Sequence, residues 1–209
     1  MGKTVVMVGS LDTKGHEYAF VKRLIEAEGL DTLVIDFGVM GEPPFEPDIT
    51  REAVAEAGGG DLAYLASGEH KDEAMQVMAA GLAVVVRMLY DEGKVDGILG
   101  MGGGGNTSIA TSGMRVLPVG VPKVMVSTLG GGDVSGYAGT RDITFMPSIV
   151  DVAGINSISR QIYANAAGAI AGMVKMEAPP VGEEKQLVTA SMFGNTTACV
   201  DRARRVVEE

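Results

Sequence analysis

Four runs of strand length dominate the first 127 residues: Thr4–Val8, Thr32–Asp36, Val95–Leu99 and Lys123–Ser127. They are largely apolar and do not alternate, so both of their faces are built to be buried, as in a parallel sheet. Parallel neighbours need long crossovers, and the intervening segments supply them. Tyr18, Val21, Leu24 and Ile25 fall at helical spacing, and Met75, Met78, Leu82, Val85, Val86 and Leu89 mark one face of a helix over about 71–92. A further helix is expected through Ile109–Leu117. The pattern predicts an open α/β sheet with helices on both faces.

Glycine-rich turns follow these runs. Gly9 to Gly15 closes the first, Gly100 to Ser108 the third, and Thr128 to Asp133 the fourth. In open α/β sheets, ligands bind beyond the carboxyl ends of the strands. Backbone N–H groups that are free of Cβ atoms and lie at helix N-termini suit phosphate or carboxylate. Gly100, Gly102 and Gly105 match G-x-G-x-x-G, but no acidic residue lies between Asn106 and Gly132 to hold a ribose. The same stretch nearly matches a P-loop, with Asn106 where lysine belongs. Lys14 is the candidate replacement cation. The candidate ligand-binding positions are Gly9, Ser10, Asp12, Thr13 and Lys14; Gly102, Gly103, Gly104, Gly105, Asn106 and Thr107; and Thr128, Gly130, Gly131, Gly132 and Asp133. The competing reading of each loop is a tight strand-to-helix turn without a ligand.

No catalytic residue is identified. Ser10, Ser127 and Thr128 are nucleophiles only by type, and His16 and His70 lack a triad setting. Asp12, Asp133 and Asp142 fall near expected turns at one sheet edge, where a carboxylate can hold Mg²⁺ or simply bond local backbone. With one cysteine and two histidines, thiolate clusters and histidine-rich metal sites are excluded. Cys199 reads as a small core residue of the last helix. The net charge of −10 argues against nucleic acid as a partner. No apolar run reaches membrane-span length and no signal-peptide pattern is seen, so a cytoplasmic location is expected.

The remaining chain reads as follows. Gly38–Pro47 is a loop, a short helix starts at 49–52, and Arg141–Phe145 is a short extended segment. Ser148 with Asp151 reads as a capping box opening a long helix to about Lys175, whose small residues at 164–172 suit close packing. Residues 1–177 form the first subdomain, 178–185 a linker, and 186–209 the first β-α unit of a second α/β subdomain, with a strand at Leu187–Ser191. Gly194-Asn195-Thr196-Thr197 echoes Gly105-Asn106-Thr107-Ser108.

Val8 to Gly15, Gly100 to Ser108 and Thr128 to Asp133 together resemble a little-characterised family related to the ATP-binding N-terminal domain of the tomato mosaic virus resistance protein. The resemblance covers nearly the whole chain. It implies a Rossmann-like first subdomain, ATP binding accompanied by Mg²⁺, a dimeric assembly, and full-length members about twice as long. The expected function is therefore nucleotide binding, with slow ATP hydrolysis left open. Two alternatives stand beside it: an enzyme acting on a small phosphorylated or carboxylated metabolite, and a structural or assembly module.

Overall fold

The computed structural model describes residues 2–68, 70–179, 186 and 188–208. The chain divides into two units, Met1–Glu177 and Ala178–Glu209. In the first, five parallel strands form one sheet: β1 (Thr4–Gly9), β2 (Asp31–Asp36), β3 (Gly97–Gly102), β4 (Lys123–Ser127) and β5 (Thr144–Pro147). Their spatial order is β2-β1-β3-β4-β5. The order reverses between β1 and β3, and this switch point opens a crevice at the strands' carboxyl ends. The open Rossmann-like α/β sheet read from the sequence is the observed fold.

One face of the sheet carries α2 (Arg51–Ala57), α4 (Lys71–Asp91) and α5 (Gly104–Arg115), with the short α3 (Leu62–Leu65) beside them. Met78, Leu82 and Val86 of α4 are fully buried there with Val6, Val8 and Ile98. Each such side chain contributes about 1.5–3 kcal/mol by leaving water. α4 is the one helix among the described residues long and apolar enough to cross a membrane by length and composition; its packing on this core accounts for that character. The other face carries α1 (Leu11–Ala27) and α7 (Ser157–Lys175), where Tyr18, Tyr163, Ile170 and Val174 pack on Val5, Met7 and Val124. α6 (Ser135–Ala138) links β4 to β5.

Three boundaries differ from the sequence reading. α1 begins at Leu11, within the expected Gly9–Gly15 turn, because Asp36 at the end of β2 accepts the Leu11 N–H at 2.9 Å. β3 continues through Gly102, so Gly100 and Gly102 are strand residues and α5 starts at Gly104. A Cβ at Gly100 would lie 2.9 Å from Ala110 Cβ and 3.0 Å from Met125 Sδ, so this glycine lets α5 press on the sheet. α7 begins at Ser157, not Ser148. Asn156 caps it, accepting from the N–H groups of Ile158 and Ser159, while Ser159 Oγ accepts from Asn156 N. Ser148 instead donates to Val150 O at 2.6 Å, and Ile149 sits at φ 63°. Within α7, Ala166, Ala167 and Ala171 are buried, whereas Gly168 and Gly172 face outward.

In the second unit α8 spans Thr197–Glu208. Residues 188–191 form no strand, since the unit offers them no ladder partner among the described residues. Leu187 and most of the expected linker, 180–185, lie outside the described residues. Gly194–Thr196 form the turn before α8, whereas Gly105–Ser108 lie inside α5, so the sequence echo does not mark equivalent positions. Cys199 is exposed, not a core residue.

Candidate ligand site at the switch point

Tyr18 sets the geometry of the crevice. Its ring occupies the space a Cβ on Gly9 would need, 2.1 Å from that position. Its hydroxyl accepts from Met101 N at 2.7 Å and donates to Val8 O at 2.6 Å. The ladder between β1 and β3 reaches only Val8 and Gly100. A phenol therefore stands where the next rung would form, and burial raises its pKa far above the ordinary value.

Just beyond, the first turns of α1 and α5 face each other. Ser10 is the N-cap of α1 by backbone position, but its hydroxyl donates to Asn106 Oδ1 at 2.7 Å and caps nothing. Gly103, the N-cap of α5, has no side chain to offer. A helix leaves its first four N–H groups without intrahelical partners. Both helix starts thus present amide donors and the positive end of a dipole to one place. Gly102 adopts φ 153°, and a Cβ there would meet Asn106 Cβ at 2.4 Å. Thr107 Oγ1 lies 2.7 Å from Ser127 Oγ and is buried with it. Ser127 Oγ also accepts from Leu129 N, so neither hydroxyl is a free nucleophile.

A cavity of about 430 Å³ opens against these helix starts. Ser10, Asp12 and Thr13 of the α1 corner line it, with Gly105 and Asn106 of α5 and Lys71 of α4. Phe37, Leu65, Met75, Met78 and Ile109 give it an apolar wall. α4 is a third helix without a side-chain cap, its N-cap being His70. A wider cleft of about 630 Å³ lies alongside, lined by Glu42, Glu52, Glu56, Asp61 and Arg51. Its arginine is engaged by Gly41 O, Glu42 and Glu52, so that cleft repels anions.

The sequence-predicted positions separate into two groups. Ser10, Asp12, Thr13, Gly105 and Asn106 line the cavity, with Gly103 and Gly104 at the same start of α5, whereas Gly9, Gly102 and Thr107 are buried and do not line it, Gly9 lying under the Tyr18 ring and Thr107 against Ser127. Lys14 does not line the cavity; its ammonium donates to Val152 O at 2.7 Å, on the α7 side. Thr128 stays close, donating its N–H to Gly102 O at 3.2 Å. The rest of that loop turns away: Gly130 packs on the Met146–Pro147 backbone, and Gly131 and Gly132 are exposed. Asp133 accepts from Ser135 N at 2.9 Å, and the Ser135 side chain together with that N–H lowers its pKa. Asp142 lies at the opposite edge of the sheet, paired with Lys123 at the start of β4 at 2.8 Å. It precedes β5 instead of following a strand, which is why the expected common edge fails for it.

Two residues at the site escaped the sequence reading. Asp36 is fully buried and holds Leu11 N and Gly38 N with Oδ1, while its Oδ2 has no partner. Burial raises its pKa, the two N–H groups oppose the rise, and the Asp12 charge adds to it. Its signal was an acid closing the second apolar run. The other is Lys71, a cation in a helix's first turn, the unfavourable end for one. Asp12 itself ties the 38–41 segment to α1, its Oδ2 accepting from Met40 N at 2.7 Å, while its buried Oδ1 has no partner. Among the described residues no group of three or more metal-ligating side chains exists.

This arrangement defines an open α/β domain with a built crevice at its switch point. The chain belongs to the uncharacterised protein family UPF0261, whose N-terminal domain model matches residues 3–179. It is 48% identical over 208 residues, all of this chain and 52% of the relative, to a UPF0261 protein of Clostridium tetani (strain Massachusetts / E88). It is 43% identical over 198 residues to one of Rhizobium meliloti (strain 1021), covering 95% of this chain and 48% of the relative. It is also similar to the ToMV resistance protein Tm-1 of Solanum lycopersicum, 39% identical over 142 residues, 65% of this chain and 19% of that protein. The chain thus spans about half the length of these bacterial relatives.

Proposed function

We propose that this domain binds a nucleotide, with ATP the expected form, at the β1–β3 switch point. The observation that carries this reading is the convergence of the starts of α1, α4 and α5, none capped by the side chain of its own N-cap residue, on one cavity of about 430 Å³ with an apolar wall. Amide donors suit the phosphates, and the wall formed by Phe37, Met75 and Ile109 suits a base. Asp12 on the same wall would repel a bare polyphosphate. The charge of that carboxylate suits a Mg²⁺ ion carried in by the nucleotide, since Mg²⁺ is commonly held by one or two carboxylates plus phosphate oxygens. A cytoplasmic, dimeric protein remains our expectation for the whole molecule.

Calorimetry with ATP, ADP, inorganic phosphate and small carboxylic acids tests the proposal. ATP binding that exceeds phosphate binding supports it. Heat with small phosphorylated or carboxylated acids but not with ATP would move the reading to a metabolite enzyme. No heat with any of them would leave an assembly module.

A further inference from the structure

We infer that Lys71 supplies the cation that the near-P-loop lacks, reaching across the cavity to the phosphates held by α5; this rests on the nucleotide reading above. The near-P-loop puts Asn106 at the lysine position, and the neighbouring candidate, Lys14, is committed to Val152 O. A polyphosphate bound in a chain of net charge −10 still needs a local counter-charge. Lys71 is the one cationic side chain on the cavity wall among the described residues.

Helix geometry aims it. Residues four apart lie one above the other on a helix face. Met75 is four residues after Lys71, and its Cε lies 3.8 Å from the Cβ position at Gly105 in the first turn of α5. Both residues line the same cavity. Lys71 therefore stands on the face of α4 that overlooks the amide donors of α5. His70, immediately before it, stacks on the Tyr64 ring, with centroids 4.4 Å apart and planes at 17°.

The lysine has no structural duty that would explain it. Among the described residues its ammonium makes no ion pair, although Asp72 and Glu73 adjoin it in the same turn. In that turn a cation opposes the helix dipole. An exposed lysine with that cost, no partner and a place on the cavity wall is accounted for by an anionic ligand.

The test compares the wild-type chain with Lys71→Ala, Lys71→Arg and Lys14→Ala, using ATP and AMP as probes in calorimetry. Lys71 is exposed, so its replacement should leave the fold intact, as circular dichroism will verify. Lys71→Ala should weaken ATP binding about tenfold or more, the loss of one charged hydrogen bond. AMP binding should weaken less, Lys71→Arg should retain most affinity, and Lys14→Ala should leave ATP affinity unchanged. Wild type binding ATP while Lys71→Ala binds it equally well overturns the assignment of Lys71 alone. Wild type binding no ATP overturns the nucleotide reading, and this inference with it.

Discussion

The Ser10 hydroxyl donates to Asn106 Oδ1 at 2.7 Å, joining the start of α1 to the start of α5 across the switch point. The bond links residues 96 apart in sequence and fixes the spacing of the two donor sets. Ser10→Ala and Asn106→Ala should each cost about 1 kcal/mol. In a double-mutant cycle by urea denaturation the pair should show a coupling of about 0.5–1 kcal/mol. Strictly additive losses would mean that the bond fixes nothing. Weaker nucleotide binding should accompany each loss, because the amide donors then hold their positions less tightly.

Gly102 and Asn106 share one volume. Gly102→Ala should destabilise by about 2 kcal/mol, through both the Cβ contact at 2.4 Å and the positive φ. Asn106→Gly removes the atoms the new Cβ would strike, so Gly102→Ala made in an Asn106→Gly background should cost less than it does in wild type, the backbone strain being what remains. Thermal denaturation of the three variants checks this. A Gly102→Ala cost in the Asn106→Gly background as large as in wild type contradicts it.

At the opposite edge, buried Lys123 donates to Pro118 O, Val121 O and Asp142. Burial works to raise the Asp142 carboxyl, but the Lys123 ammonium and the Gly120 N–H outweigh it and hold the pKa below 3.8. A carboxylate lowered by folding adds stability that is fully present above its ordinary value and is lost as pH falls through the lowered one. With the Asp142 side chain 40% exposed, solvent screens the pair. Asp142→Asn should therefore cost only about 1 kcal/mol at neutral pH, and the difference from wild type should shrink below pH 3.8. Urea midpoints across a pH series measure it, and a gap that widened in acid would contradict the assignment.

The strands and long helices were legible because their signals are local. Thr4–Val8 and Thr32–Asp36 are apolar runs of strand length, and Met75 to Leu89 repeat at helical spacing. Boundaries that depend on distant residues were not legible. α1 starts at Leu11 because Asp36, 25 residues away, receives its first N–H. Gly100 looked like part of a ligand loop until Ala110 and Met125 were seen against it. At α7 two capping signals competed. Ser148 with Asp151 read well in sequence, but the chain turns at Ile149 and again at Gly154 before Asn156 and Ser159 form the box. Of the site, the corners at Ser10 and Gly102–Thr107 were visible from glycine placement. The cation was not, because Lys71 reaches the cavity from a helix that approaches only in three dimensions.

The Tyr18 ring, lodged in the space above Gly9, ties the two positions together as alternatives. While an aromatic ring fills that space, position 9 has no room for a side chain. Relatives that carry a smaller residue at position 18 are free to carry a side chain at position 9, whereas a side chain at 9 should not occur beside a tyrosine at 18. Where both are kept, the gap between β1 and β3 is held open by the same hydroxyl, and the crevice is inherited as a unit with its wedge.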